Sequence, residues 1–177
     1  MRTRGIVLKK LDIGEADALY AIYTEDMGKI TARARGIRKN EAKLRGHLEP
    51  LSLSAVRLVC GKNGEKLIGA ALVNFWERMR SGENTLRLAA YAARRVDEQV
   101  FPGERDPALW DLLTATFSVL DREEFSDERA ETFIRAFDRS LSRCLGHGDG
   151  ADDSGYILPD ANGAMASAYG TEYDEVR

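Results

Sequence analysis

Cysteine and histidine are scarce in this chain of 177 residues, with two of each. Cys60 and Cys144 lie far apart in different expected elements and no Cys-x-x-Cys occurs, so a structural zinc site and a disulfide framework both lack their ligands. No apolar run approaches the roughly 20 residues that a membrane-spanning helix needs, and Met1-Arg2-Thr3-Arg4 is not followed by a signal-type apolar stretch. The expectation is a cytoplasmic chain that does not engage a membrane. Catalytic constellations are equally sparse. His47 and His147 sit in loop-like contexts with no nucleophile or metal ligand at motif spacing. Gly61-Lys62-Asn63-Gly64-Glu65-Lys66 lacks the spacing of a phosphate-binding loop and reads as a hairpin. The adjacent pairs Glu123-Glu124 and Asp152-Asp153 lack a frame that would make neighbouring carboxylates converge on one ion. A non-enzymatic protein without cofactor or metal is expected.

Charge is plentiful but unevenly spread. The total of 26 Lys and Arg against 29 Asp and Glu gives a net charge of -3, which on its own argues against a nucleic-acid binder. Residues 1–80, however, hold 16 basic and 9 acidic residues, net +7, while residues 81–177 hold 10 and 20, net -10. Such asymmetry points to a charged binding surface on the first half.

That half reads as short β-prone runs separated by turns: Gly5–Lys10, Ala18–Thr24, Lys29–Arg35, Leu51–Cys60 and Glu65–Asn74. Asp26-Met27-Gly28 and Gly61-Lys62-Asn63-Gly64 supply residues that tolerate the positive φ of tight hairpin turns. Five such strands suggest a small barrel. In the third, Ile30, Ala32 and Ala34 alternate with Lys29, Thr31, Arg33 and Arg35. In the fourth, Leu51, Leu53 and Ala55 alternate with Ser52 and Ser54 before the phase switches to Val56 and Leu58, which predicts a bulge near Ala55. After Glu77 the period becomes helical. Leu86, Ala89, Ala93, Val96 and Val100 form one stripe; Asp106-Pro107 opens a second helix carrying Leu109, Leu113, Phe117 and Leu120. Ser126 or Asp127 caps a third, with Ala130, Phe133, Phe137 and Leu141, that stops at Gly146. There is no internal repeat and no separate linker longer than Met79–Glu83. Residues 147–177 are rich in Gly and Asp, without period, and read as a tail.

The strongest local signal is Lys29–Arg45, where Lys29, Arg33, Arg35, Arg38, Lys39, Lys43 and Arg45 face a single acid, Glu41. Arg33 and Arg35 share a strand face about 6.6 Å apart, and their planar forks suit phosphate oxygens. A solvated, solubilising loop would have the same composition; placement on a small barrel, a fold that often carries strands of nucleic acid, sets a DNA-binding surface level with that reading. Tyr20 and Tyr23 are candidate stacking partners, but at a spacing of three they face opposite sides of a strand, so at least one belongs to a core. In the last helix Arg135, Arg139 and Arg143 line one face at spacing four. That face is either a plain polar one, with Glu131 paired to Arg135, or a dock for an acidic peptide.

The runs Gly5-Ile6-Val7-Leu8-Lys9-Lys10, Gly14-Glu15-Ala16-Asp17 and Ile22-Tyr23-Thr24, followed by Asp26-Met27-Gly28-Lys29-Ile30, resemble the start of the RecO family of bacterial recombination mediators. Ala34-Arg35-Gly36-Ile37-Arg38-Lys39 and Lys43-Leu44-Arg45-Gly46-His47-Leu48-Glu49-Pro50-Leu51 are similar to its most recognisable motif. The resemblance implies an α+β chain: a five-stranded OB-fold barrel over 1–80, a small all-α domain over 81–146 and the tail beyond. It implies a DNA repair and recombination mediator, nucleoid-associated, that binds single- and double-stranded DNA, anneals complementary strands and assists recombinase loading. Its partners would be RecR and the C-terminal tail of single-stranded-DNA-binding protein. The family's basic motif falls on Arg35, Arg38, Lys39, Lys43 and Arg45, with Gly28 and Gly36 as turn positions. Many members carry a four-cysteine zinc module after the last matching helix; here no cysteine follows Cys144, so no zinc is expected. Set against the family, the chain is also expected to be short and to be without the usual closing helical segment. Two other classes are an adaptor whose basic barrel holds an acidic protein, which would not anneal DNA, and a metal-dependent nuclease, which would degrade it.

Overall fold

A computed structural model describes residues 1–37, 45–61 and 64–147. Five strands, β1 (Arg2–Ile13), β2 (Asp17–Thr24), β3 (Gly28–Ala34), β4 (Leu53–Gly61) and β5 (Gly64–Asn74), close into a barrel in the order β1-β2-β3-β5-β4. All neighbours are antiparallel except β3 and β5, which meet in a parallel seam. This is the small barrel expected from the strand pattern and the OB-fold that the RecO resemblance implies. A 3-10 turn, Arg45–His47, precedes β4.

The barrel interior follows from alternation. Ile30, Ala32 and Ala34 of β3 point inward with Val7, Tyr20, Ile22, Val56, Leu58 and Leu67. β4 corrects the sequence reading. Its inward phase is continuous through Ser54, Val56 and Leu58, with Ser52 buried just before it. The two serines sit inside because their hydroxyls donate to backbone carbonyls, Ser52 to Glu49 (2.6 Å) and Ser54 to His47 (2.6 Å), which offsets the cost of burying them. No bulge falls at Ala55. The extra residues are on β5: the register against β4 shifts between Leu53 and Ser54 and between Arg57 and Leu58, leaving Val73 and Ile68 unpaired and exposed. Alternation along β1 puts Val7 in the barrel while Ile6 and Leu8 face outward, and a third register shift leaves Leu8 without a partner on β2.

Those outward residues seat the helices. Among the described residues four helices follow, α1 (Glu77–Ser81), α2 (Glu83–Gln99), α3 (Pro107–Arg122) and α4 (Asp127–Cys144), rather than the three expected. Residues 77–81, largely read as connector, form α1 because Met79 is fully buried and its N–H donates to Asp121 (3.0 Å). Ile6, Leu8 and Tyr23 from the barrel join Trp76, Leu88, Val96, Leu113, Phe117, Phe133, Phe137 and Leu141 in one core. Leu86, placed in the apolar stripe by spacing, is exposed instead, and Leu88 and Ala92 take its place. The caps are as the sequence implies: Asp106 accepts from Ala108 and Leu109 N–H, and Ser126 from Arg129 N–H.

Tyr20 and Tyr23 do face opposite sides of β2, but both are buried, one in each core. Neither can stack on a base. Tyr23 donates to the Asp106 carbonyl (3.1 Å), tying the barrel to the start of α3. Burial pushes both phenols up to about 12 from 10.0. Because the neutral form is favoured in the folded state, their contribution is complete below pH 10.0 and is lost as pH rises towards 12. Alkaline titration should therefore show tyrosinate absorbance for these two rings rising together with loss of the folded circular dichroism signal; ionisation near pH 10 in a folded chain would contradict their burial.

Candidate nucleic-acid interface

β3 presents its polar residues outward, and at its C-terminal end the helices no longer cover them. Arg33 and Arg35 are both exposed there. Asp17, at the start of β2, positions them. Its Oδ2 accepts from Arg33 Nε (3.0 Å) and Nη2 (2.7 Å), while Oδ1 accepts from the Gly36 N–H (2.9 Å) in the turn that carries Arg35. The Gly36 N–H and then Arg33 hold this carboxyl below its ordinary range. One carboxylate thus orients the fork of Arg33 and the turn beyond it, and two positive charges remain for one negative.

Lys29 does not join this surface. Its ammonium group reaches α2, donating to the Asp97 carbonyl (2.5 Å) and lying 3.7 Å from the Asp97 carboxylate, with only 12% of the side chain exposed. It fastens barrel to helices, helped by the Gly103 N–H on the Lys29 carbonyl (2.9 Å). Arg38, Lys39 and Lys43 lie outside the described residues, as does the side chain of Arg45. One residue that the charge window missed is Lys66. It is far away in sequence, but the parallel seam sets it directly beside Arg33, and both are exposed. No local signal could have placed it there, because the seam joins two segments that are not consecutive.

The second basic group lies on another layer. Arg135, Arg139 and Arg143 are all exposed along α4, which packs against α2 and α3. Arg135 is 3.8 Å from Glu131, with both side chains largely in water, so the pair contributes little. His47 is occupied structurally, its Nδ1 accepting from the Leu72 N–H (3.3 Å). A cavity of about 450 Å³ opens among the ends of the helices, lined by Arg78, Asn84, Asp121 and Phe125, on the helical layer rather than at β3. Among the described residues no group of three or more His, Cys, Asp or Glu could hold a metal ion, and no helix is long and apolar enough to cross a membrane.

The family model described as Recombination protein O N terminal matches residues 1–74, the whole of the barrel. This barrel belongs to the RecO family. Similarity to RecO proteins continues into the helices. The DNA repair protein RecO of Dehalococcoides mccartyi is 30% identical over 146 residues, 82% of this chain and 56% of that protein. The RecO of Syntrophomonas wolfei is 31% identical over 147 residues, 83% and 57%, and that of Alkaliphilus metalliredigens 29% over 146, 82% and 58%. The chain thus spans somewhat more than half the length of these curated relatives. Gly28 and Gly36, the turn positions implied by the RecO resemblance, take φ of 65° and 67°.

Proposed function

We propose that this chain is a non-enzymatic, RecO-like mediator of DNA repair and recombination that binds single- and double-stranded DNA and anneals complementary strands. The observation that carries the reading is the exposed pair Arg33 and Arg35 at the uncovered end of an OB-fold barrel, Arg33 bonded to Asp17 and Arg35 in the turn whose Gly36 N–H bonds the same carboxylate. Guanidinium forks held at strand spacing suit successive phosphates of a flexible strand. Arg38, Lys39, Lys43 and Arg45 would extend the grip along the segment that follows; Lys29 serves the barrel-helix junction instead. The names of the curated relatives support the repair role.

Recombinase loading on the nucleoid, RecR, and the acidic C-terminal tail of single-stranded-DNA-binding protein as partners complete the reading. The exposed Arg135, Arg139 and Arg143 row is the surface assigned to that tail. Arg139→Glu should lower affinity for an acidic peptide ending in an aromatic residue by about tenfold, measured by fluorescence anisotropy; unchanged affinity would return α4 to a plain polar face. The central test is annealing of complementary oligonucleotides by the purified chain, with and without coating protein, beside a salt titration of single-strand binding. Annealing and a steep negative slope of log affinity against log salt are expected. Absence of both, with retention of an acidic protein ligand, would identify an adaptor instead.

A further inference from the structure

The outer barrel surface away from the helices continues beyond β3. Across the seam from Arg33 lies Lys66, which pairs in register with Val59 of β4. Two residues back along β4, Arg57 is opposite Arg2 of β1. Arg2, Arg57 and Lys66 are exposed and have no carboxylate partner among the described residues. The row stops at Arg4, which turns to Glu25 (2.6 Å) and lies over the Trp110 ring (5.9 Å) at the border of the helical layer.

Two features make this face more than a scatter of cations. Val59 and Ile68, 46% and 55% exposed, stand among them, Ile68 as the extra residue of a β5 bulge. Arg57 is also seated. Its guanidinium lies over Gly69, where a Cβ would come within 2.5 Å of Nε and 2.8 Å of Nη2. The glycine leaves a shallow bed in which the fork lies flat along the sheet instead of extending into solvent.

We propose that this band, Arg33–Lys66–Val59/Ile68–Arg57–Arg2, is a second stretch of DNA path that prefers single strands to duplex; it rests on the DNA-binding reading above. Three interstrand steps carry it across about 14 Å, well within the span of the 4–16 nucleotides held by an OB-fold. The cations serve phosphates of either form. Val59 and Ile68 contribute only where base faces are free, because in a duplex those faces are stacked and hidden. An annealing protein gains from this bias, since the paired product is held less firmly than the strands that form it.

The test uses the full chain, a labelled oligothymidine of about 30 nucleotides and a duplex of the same length. Val59→Ser with Ile68→Ser should lower single-strand affinity about tenfold and leave duplex affinity within about twofold. Arg57→Glu with Lys66→Glu should weaken both and reduce the single-strand salt slope by about 1.4. All four residues are exposed, so thermal melting should match the parent. Unchanged single-strand affinity in the Ser variant, or equal loss on both substrates, overturns the proposal while leaving the β3 site standing. Absence of DNA binding by the parent chain overturns both readings, and capture of an acidic peptide through Arg57 and Lys66 in its place would assign the face to a protein.

Discussion

Replacing Gly28 by alanine lowers stability by about 3 kcal/mol and the melting temperature by about 10 °C. Gly28 closes the β2–β3 hairpin with φ 65°, a conformation that disfavours any side chain. More decisively, a Cβ there would lie 1.8 Å from the Glu104 carbonyl oxygen and 2.5 Å from its carbon. Both are backbone atoms, so no side chain can swing aside. The loop after α2 would have to lift off β3, and with it the hydrogen bond from Gly103 N–H to the Lys29 carbonyl and the Lys29 contact with Asp97. Gly103→Ala is the control. Its φ is also positive, at 84°, but nothing lies within 4 Å of the added methyl, so only the backbone term of about 1 kcal/mol remains. Urea denaturation should show the two midpoints well separated at similar m values; equal midpoints would mean that close approach to Glu104 is unimportant.

Reversing Arg33 and Arg35 together, Arg33→Glu with Arg35→Glu, reduces affinity for single-stranded DNA by about 30-fold at low salt and flattens the salt slope by about 1.4. The loss exceeds that of neutralisation because the new carboxylates join Asp17, turning a net positive end of the barrel negative. Arg33→Gln with Arg35→Gln should fall between the two and retain the turn, since Gly36 N–H still bonds Asp17. Anisotropy titrations at several salt concentrations, with melting curves to verify folding, distinguish the outcomes. Full affinity in a folded Glu variant would remove the β3 surface from the DNA interface.

Much of this site was legible because β-alternation is strict. Once β3 was recognised, Ile30, Ala32 and Ala34 had to face the core and Arg33 and Arg35 the solvent. Lys29, on the same outward phase, shows where that logic stops. Its end of the strand is covered by α2 and the α2–α3 loop, so an outward lysine became a barrel-helix fastener. Tyr23 was likewise outward yet buried, for the same reason. Ser52 and Ser54 alternate with apolar residues as a solvent-facing phase would, yet both are buried, because carbonyls of the preceding turn satisfy their hydroxyls.

Composition, period and turn chemistry by themselves determined a five-stranded barrel, a helical layer behind it, and a basic pole near the end of β3, all set by interactions between near neighbours in the chain. Only the tertiary structure decided which outward faces remained free, where the bulges fell, and that Lys66, Arg57 and Arg2 lie in one band with Arg33. Those outcomes depend on the register of segments distant in sequence and on which sheet face the helices cover, and no local pattern encodes either.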